Sequence, residues 1–249
     1  QLLAHVYPDN EYLGKNFETD LAINADSAET LSSLLSLNEN KSSFKREKWV
    51  KRVNSLYADR ASWRDAYADD GVVFGNLISH LIPYIDDNAV TAMDAGNFAT
   101  WVQRLFPYRP TNVQMASCSG AMGMGVPSAI ASSLRDKDRQ VVCFVGDGGF
   151  LMTGNEMILA SEYNLPIKFI VSNNSSFGTI RLYQEKSHPD RTLATDLCNP
   201  DFVAVAEAYG IKGYRIEDDN QIASVIKAAF SLEGPCLIDV KTSLEYISA

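Results

Sequence analysis

Apolar and polar positions alternate between two regimes along this chain. From Gly71 onward, short runs of consecutive apolar residues are separated by segments with helical spacing of apolar positions. The runs predict strands near 89–93, 112–116, 140–145, 167–172, 212–216 and 236–240. Helices are expected near 73–84, 98–105, 120–135, 154–164, 200–209 and 220–232. The runs VVCFV and IKFIV are apolar throughout, as expected for strands covered on both faces. Strands alternating with helices predict an α/β fold, a parallel sheet flanked by helices. Ahead of Gly71 the pattern weakens. Residues 1–37 contain one apolar run, a loop with Pro8 and Gly14, and a segment from Ser27 in which Leu31, Leu34, Leu35 and Leu37 form an apolar face. Residues 38–70 are dense in charge with irregularly spaced aromatics, which reads as a solvated linker helix in preference to a basic patch.

Composition narrows the function classes. The 249 residues carry 22 Lys and Arg against 31 Asp and Glu, a formal net charge of −9, and 46% are hydrophobic. An acidic chain without basic clusters argues against sequence-independent nucleic-acid binding, which needs cations to meet phosphates. The longest apolar runs fall far short of the roughly 20 residues that span a bilayer, so no membrane partner is expected. Cys118, Cys143, Cys198 and Cys236 form no CxxC pair, which suggests no zinc site and fits a reducing, cytoplasmic setting. The first residues resemble neither an initiator methionine nor a signal peptide, so the chain reads as part of something longer.

Candidate chemistry lies at strand ends, where α/β sheets bind ligands. GDGG at 146–149 and NN at 173–174 each follow a continuous apolar strand, with one expected crossover helix between them. GDGG alone is a common tight turn. With Asn174 at the matching end of a neighbouring strand, Asp147 joins a set of oxygen ligands suited to Mg²⁺. Gly146, Gly148 and Gly149 leave backbone N–H groups accessible to a phosphate. The chemistry suggested is a magnesium-bridged diphosphate. The two ligands are 174 − 147 = 27 residues apart.

That spacing, with GDG, a helix, a strand and then NN, resembles the thiamine diphosphate enzymes, and in particular their acetolactate-synthase-like branch. The resemblance implies that residues 71–249 form the diphosphate-binding domain, that 38–70 are a linker, and that 1–37 are the tail of a mostly absent central domain. It implies a metal site of Asp147, Asn174 and the backbone carbonyl of Ser176. It places Gly146, Gly148 and Gly149 at the diphosphate and Gly178 after the NN loop. SGAMGMGVPSAI at 119–130 resembles the loop under the cofactor's pyrimidine ring. There Met122, which in isolation reads as a core methionine, matches the residue that bends the cofactor, and the Gly120 carbonyl matches the acceptor for its amino group. DAGNFATW at 94–101 resembles a further cofactor loop through Gly96 and Asn97. Phe98, however, stands where that branch has a histidine donor, and it cannot donate a hydrogen bond.

The implied cofactors are thiamine diphosphate and Mg²⁺, with FAD an additional cofactor of many members, held mainly by the central domain. The implied substrate is a 2-oxo acid such as pyruvate, decarboxylated and then ligated to a second carbonyl compound. The glutamate that activates the cofactor belongs to a pyrimidine domain that nothing here resembles. The isolated chain is therefore expected to be inactive, and a homo-oligomer, dimer or tetramer, to supply that domain from another subunit. Arg181 is a candidate for a substrate carboxylate or a plain surface residue, and His188 a weaker substrate contact. A non-ligating decarboxylase, a non-catalytic relative and an unrelated nucleotide-binding domain are the alternatives.

Overall fold

A computed structural model describes residues 1–37 and 44–249, with the side chains of residues 44 and 45 excepted. The described chain divides into two compact units, Gln1–Ser55 and Leu56–Ala249. Part of the expected linker, residues 38–43, lies outside the described residues.

In the first unit, β1 (Ala4–Tyr7) pairs in parallel with β2 (Leu21–Asn24), and α1 (Ser27–Ser36) lies against β1. Asp26 caps α1 by accepting from the Ala28 amide at 2.8 Å. Leu31, Leu34, Leu35 and Leu37, the expected apolar face, are exposed. Then α2 (Phe44–Ala61) follows, with the division between the units inside it.

The second unit begins ahead of the expected Gly71. Residues 62–70 are largely exposed, as expected of a solvated segment, but are anchored at three points: Trp63 meets Trp101 edge-on at 4.8 Å, Ala66 is half-buried and Ala68 is buried. Asn76, on α3 (Phe74–Leu81), holds this segment. Its Oδ1 accepts from Trp63 Nε1 at 3.0 Å and the Ala66 amide at 3.1 Å, while its Nδ2 donates to the Ala66 carbonyl and to Asp219. Asn76→Ala would leave several half-buried polar groups without their partner at once, at about 1–3 kcal/mol each where no water replaces it. A fall in melting temperature of roughly 5–10 °C is therefore expected by calorimetry. A change below about 2 °C would show that the clamp contributes nothing.

The remaining elements are β3 (Val90–Met93), α4 (Phe98–Leu105), β4 (Val113–Ala116), α5 (Gly125–Arg135), β5 (Val141–Gly146), α6 (Asp147–Thr153), α7 (Ile158–Glu162), β6 (Lys168–Asn173), α8 (Gly178–Ser187), α9 (Phe202–Ala208), β7 (Lys212–Ile216), α10 (Ile222–Phe230) and β8 (Cys236–Lys241). The six strands form one parallel sheet in the order β4-β3-β5-β6-β8-β7. Successive side chains of a strand face opposite ways. Val142 and Phe144 pack with α3, α4 and α10 on one face, and Val141, Cys143 and Val145 pack with α5, α6 and α9 on the other. Every expected strand is present within a residue or two. Two helices differ. The one expected from residue 120 starts only at Gly125, because Gly120 and Gly123 take left-handed φ values of 70° and 86°. The crossover from β5 to β6 starts already at Asp147, so GDGG opens a helix.

The chain leaves β3 toward β4 on one side and leaves β5 toward β6 on the other, although β3 and β5 are neighbours. Connections that part in this way open a crevice at the carboxyl ends of the two strands. All four cysteines are unpaired, and burial pushes the Cys236 thiol up to about 11. Among the described residues no helix is long and apolar enough to cross a membrane.

Candidate functional site

The crevice holds a cavity that is open to solvent on one side. Its walls come from the loops after β3, β5, β6 and β8, with Met122 reaching in from the loop before α5. Of the residues singled out in the sequence, Gly96, Asn97, Met122, Gly146, Asp147, Gly148, Gly149, Asn174, Ser176 and Gly178 line it together. Gly120 does not line the cavity and is exposed two residues before Met122. Arg181 lies elsewhere, bonded to Glu185 at 3.1 Å and Asp196 at 2.9 Å beside a shallow cleft. His188 ends α8 outside the cavity.

Asp147 follows directly on β5 and is buried. Its Oδ1 accepts from the Gly148 amide at 2.9 Å and its Oδ2 from Asn199 Nδ2 at 2.8 Å. Burial raises its carboxyl above the usual range, and the hydrogen bonds from Asn199 and nearby amides act the other way. At the end of β6 the two asparagines divide as strand alternation requires. Asn173 turns into the protein, bonding Asp239 at 2.8 Å, while Asn174 lines the cavity and its Oδ1 accepts from the Ser176 amide at 3.1 Å. Ser176 is fixed through Oγ, which donates to the Thr195 carbonyl at 3.0 Å.

Asp94, at the end of β3, was not singled out in the sequence. Its Oδ1 accepts from the amides of Ala95 at 2.8 Å, Gly123 at 2.9 Å and Met124 at 3.3 Å, and its Oδ2 accepts from Gly123 at 3.0 Å. One carboxylate thus ties the loop carrying Met122 to the central sheet. Burial raises its carboxyl, and the amides oppose that rise. A Cβ on Gly149 would run into Asp94 Oδ2, so glycine there is a condition of the tie. The sequence signal was a lone carboxylate between an apolar strand and a glycine loop.

The cavity's chemistry is unusual for an anion site. Among the described residues Asp147 is its one charged lining residue, with no Lys or Arg. No group of three His, Cys, Asp or Glu gathers among the described residues, so a cation here would rest on Asp147, amide and carbonyl oxygens, and the ligand's own oxygens. That donor set fits Mg²⁺, which binds through one or two carboxylates plus phosphates. Asn97 Nδ2 is buried without a hydrogen-bond partner among the described residues, its Oδ1 being taken by Thr179 at 3.0 Å. An unsatisfied donor on the cavity wall fits a phosphate oxygen. The Phe98 ring covers Gly96 and Gly146 and meets Phe74 edge-on at 6.3 Å, giving this wall an apolar surface where a histidine was the alternative.

Fold and site together define an α/β domain with a glycine-walled, nearly uncharged crevice at the switch point of a parallel sheet. The chain belongs to the thiamine pyrophosphate enzymes: residues 94–240 match the family described as "Thiamine pyrophosphate enzyme, C-terminal TPP binding domain". Over 97% of its length it is 32% identical to the acetolactate synthase large subunit of Lactococcus lactis subsp. lactis, covering 42% of that protein. Over 98% it is 29% identical to the acetolactate synthase isozyme 1 large subunit of Escherichia coli, covering 43%. The chain thus spans about two fifths of these relatives. It is similar in fold to a thiamine diphosphate-dependent 4-hydroxybenzoylformate decarboxylase from Rhodococcus jostii RHA1, with a TM-score of 0.78 and 21% identity over 98% of this chain and 44% of that one.

Proposed function

We propose that the protein is the diphosphate-binding part of a Mg²⁺-dependent enzyme of the acetolactate synthase type, which decarboxylates a 2-oxo acid such as pyruvate and ligates the remaining fragment to a second carbonyl compound. The single observation that carries this is a cavity in which, among the described residues, the only charged side chain is an aspartate and the wall presents an amide donor without a partner. A diphosphate beside Asp147 would be repelled unless a divalent cation lay between them. The likeness to acetolactate synthase large subunits supports the ligating reaction.

Thiamine diphosphate, when bound, supplies a carbon nucleophile for the substrate carbonyl and an acceptor for the electron pair released with CO₂. The chain's own residues bind and orient it. Asp147, Asn174 and the Ser176 carbonyl would hold the cation. The glycine loop at 146–149 and Asn97 Nδ2 would hold the diphosphate. Met122 would brace the cofactor from the loop before α5, whereas Gly120 lies outside the cavity, against the contact expected of its carbonyl. Met122 and Ile180 line the cavity and are nonetheless exposed. Their exposure supports a pyrimidine domain of a second subunit as the cover that excludes water.

Product analysis of the full-length protein with pyruvate, thiamine diphosphate and Mg²⁺ tests the proposal. Acetolactate is the expected product. Acetaldehyde alone would replace ligation by simple decarboxylation, and no turnover of pyruvate would remove it as the donor.

A further inference from the structure

The segment after α8 returns to the loop after β6. The Leu197 amide donates to the Ser175 carbonyl at 2.8 Å, and the Phe177 amide to the Thr195 carbonyl at 2.7 Å, stitching residues 195–197 to the loop after β6. This places Asn199 behind two strand ends at once. Its Nδ2 donates to Asp147 Oδ2 at 2.8 Å and to Asn173 Oδ1 at 2.9 Å, using both of its hydrogens. Asn173 donates in turn to Asp239, which is fully buried and accepts from Arg215 Nε at 3.3 Å. Arg215 also grips Asp201, the cap of α9, whose Oδ1 accepts from the amides of Val203 and Ala204. Asn199 thus bridges Asp147 and the anchored Asn173 through Nδ2, while its Oδ1 is buried without a hydrogen-bond partner among the described residues.

The geometry points to Asn199 as a positioning residue for the divalent-cation site, an inference that rests on the reading of Asp147 as a metal ligand. Asn199 does not line the cavity, so it reaches Asp147 from behind. With Oδ1 engaged by the Gly148 amide and Oδ2 by Asn199, the carboxylate is fixed in one orientation. Its spare lone pairs remain for a cation. A neutral amide does this without adding positive charge, whereas a Lys or Arg in the same place would oppose Mg²⁺. Groups that orient a metal ligand from behind contribute about 10–100-fold in metal affinity.

The test is a Mg²⁺ titration of the full-length protein at saturating thiamine diphosphate, followed through tryptophan fluorescence, since Trp101 lines the cavity. Asn199→Ala is expected to raise the Mg²⁺ concentration at half-saturation by about 10–100-fold. Thiamine diphosphate binding at saturating Mg²⁺ stays close to parental, a separation that a merely structural role for Asn199 does not produce. Asn199→Ser keeps one short donor and should fall between parent and Asn199→Ala. Parental half-saturation in Asn199→Ala overturns the inference. Should that variant fail to fold, parental half-saturation in Asn199→Ser overturns it equally. Asp147→Ala separates the two layers: if it too binds Mg²⁺ like the parent, the metal reading itself falls, and if it alone loses Mg²⁺, only the role of Asn199 is rejected.

Discussion

Asp147→Ala is expected to abolish Mg²⁺-dependent retention of thiamine diphosphate while leaving the fold intact. The loss in cation affinity should exceed the roughly 100-fold ceiling for residues that act only from behind a ligand. Stability should change little, because two effects oppose one another. Removing a buried carboxylate relieves its desolvation, and losing it leaves the Gly148 amide and one Asn199 hydrogen without their acceptor. Calorimetric titration with Mg²⁺ and thiamine diphosphate, set beside a thermal melt of the unliganded protein, checks both halves. A variant that bound Mg²⁺ and thiamine diphosphate with parental affinity would show that the cation, if there is one, is held elsewhere.

Met122→Ala is the second large effect. Met122 lines the cavity with about a third of its surface exposed (36%), so it is not a core side chain and its truncation should cost little stability. Its proposed contribution is to the geometry of the bound cofactor, and misplacement of reacting groups by about 1 Å can cost 10²-fold in rate. Turnover should therefore fall by roughly 10²-fold, with half-saturation by thiamine diphosphate near parental. Steady-state kinetics of the full-length protein separate kcat from cofactor affinity. Equal turnover in variant and parent would remove Met122 from the mechanism.

The sheet was legible in the sequence because β5 and β6 are apolar on both faces and their ends carry GDGG and NN. Spacing along the chain then sufficed to bring Asp147 and Asn174 to one crevice. Helix starts were less legible, since Gly120 and Gly123 sit inside an otherwise helical pattern and only their backbone conformation ends it. Residues 62–70 looked solvated throughout because charge dominates their composition, while Trp63 and Ala68 anchor them. Asp94 and Asn199 were not legible as site residues. Their partners lie 29 and 52 positions away, and nothing in DAG or CNPD states which backbone or carboxylate they will meet.

The tie between Asp94 and the loop before α5 has a consequence for how this site can vary. Because the backbone at Gly123 and Met124 is bonded to the sheet, the chain beneath residue 122 does not settle into the space a smaller side chain leaves. Position 122 is thus an interchangeable peg on a fixed mount. Leucine, isoleucine or phenylalanine could be exchanged there to reshape the pocket one residue at a time. Gly149, by contrast, can take a side chain only if Asp94 gives way, since a Cβ there runs into the carboxylate that makes the joint.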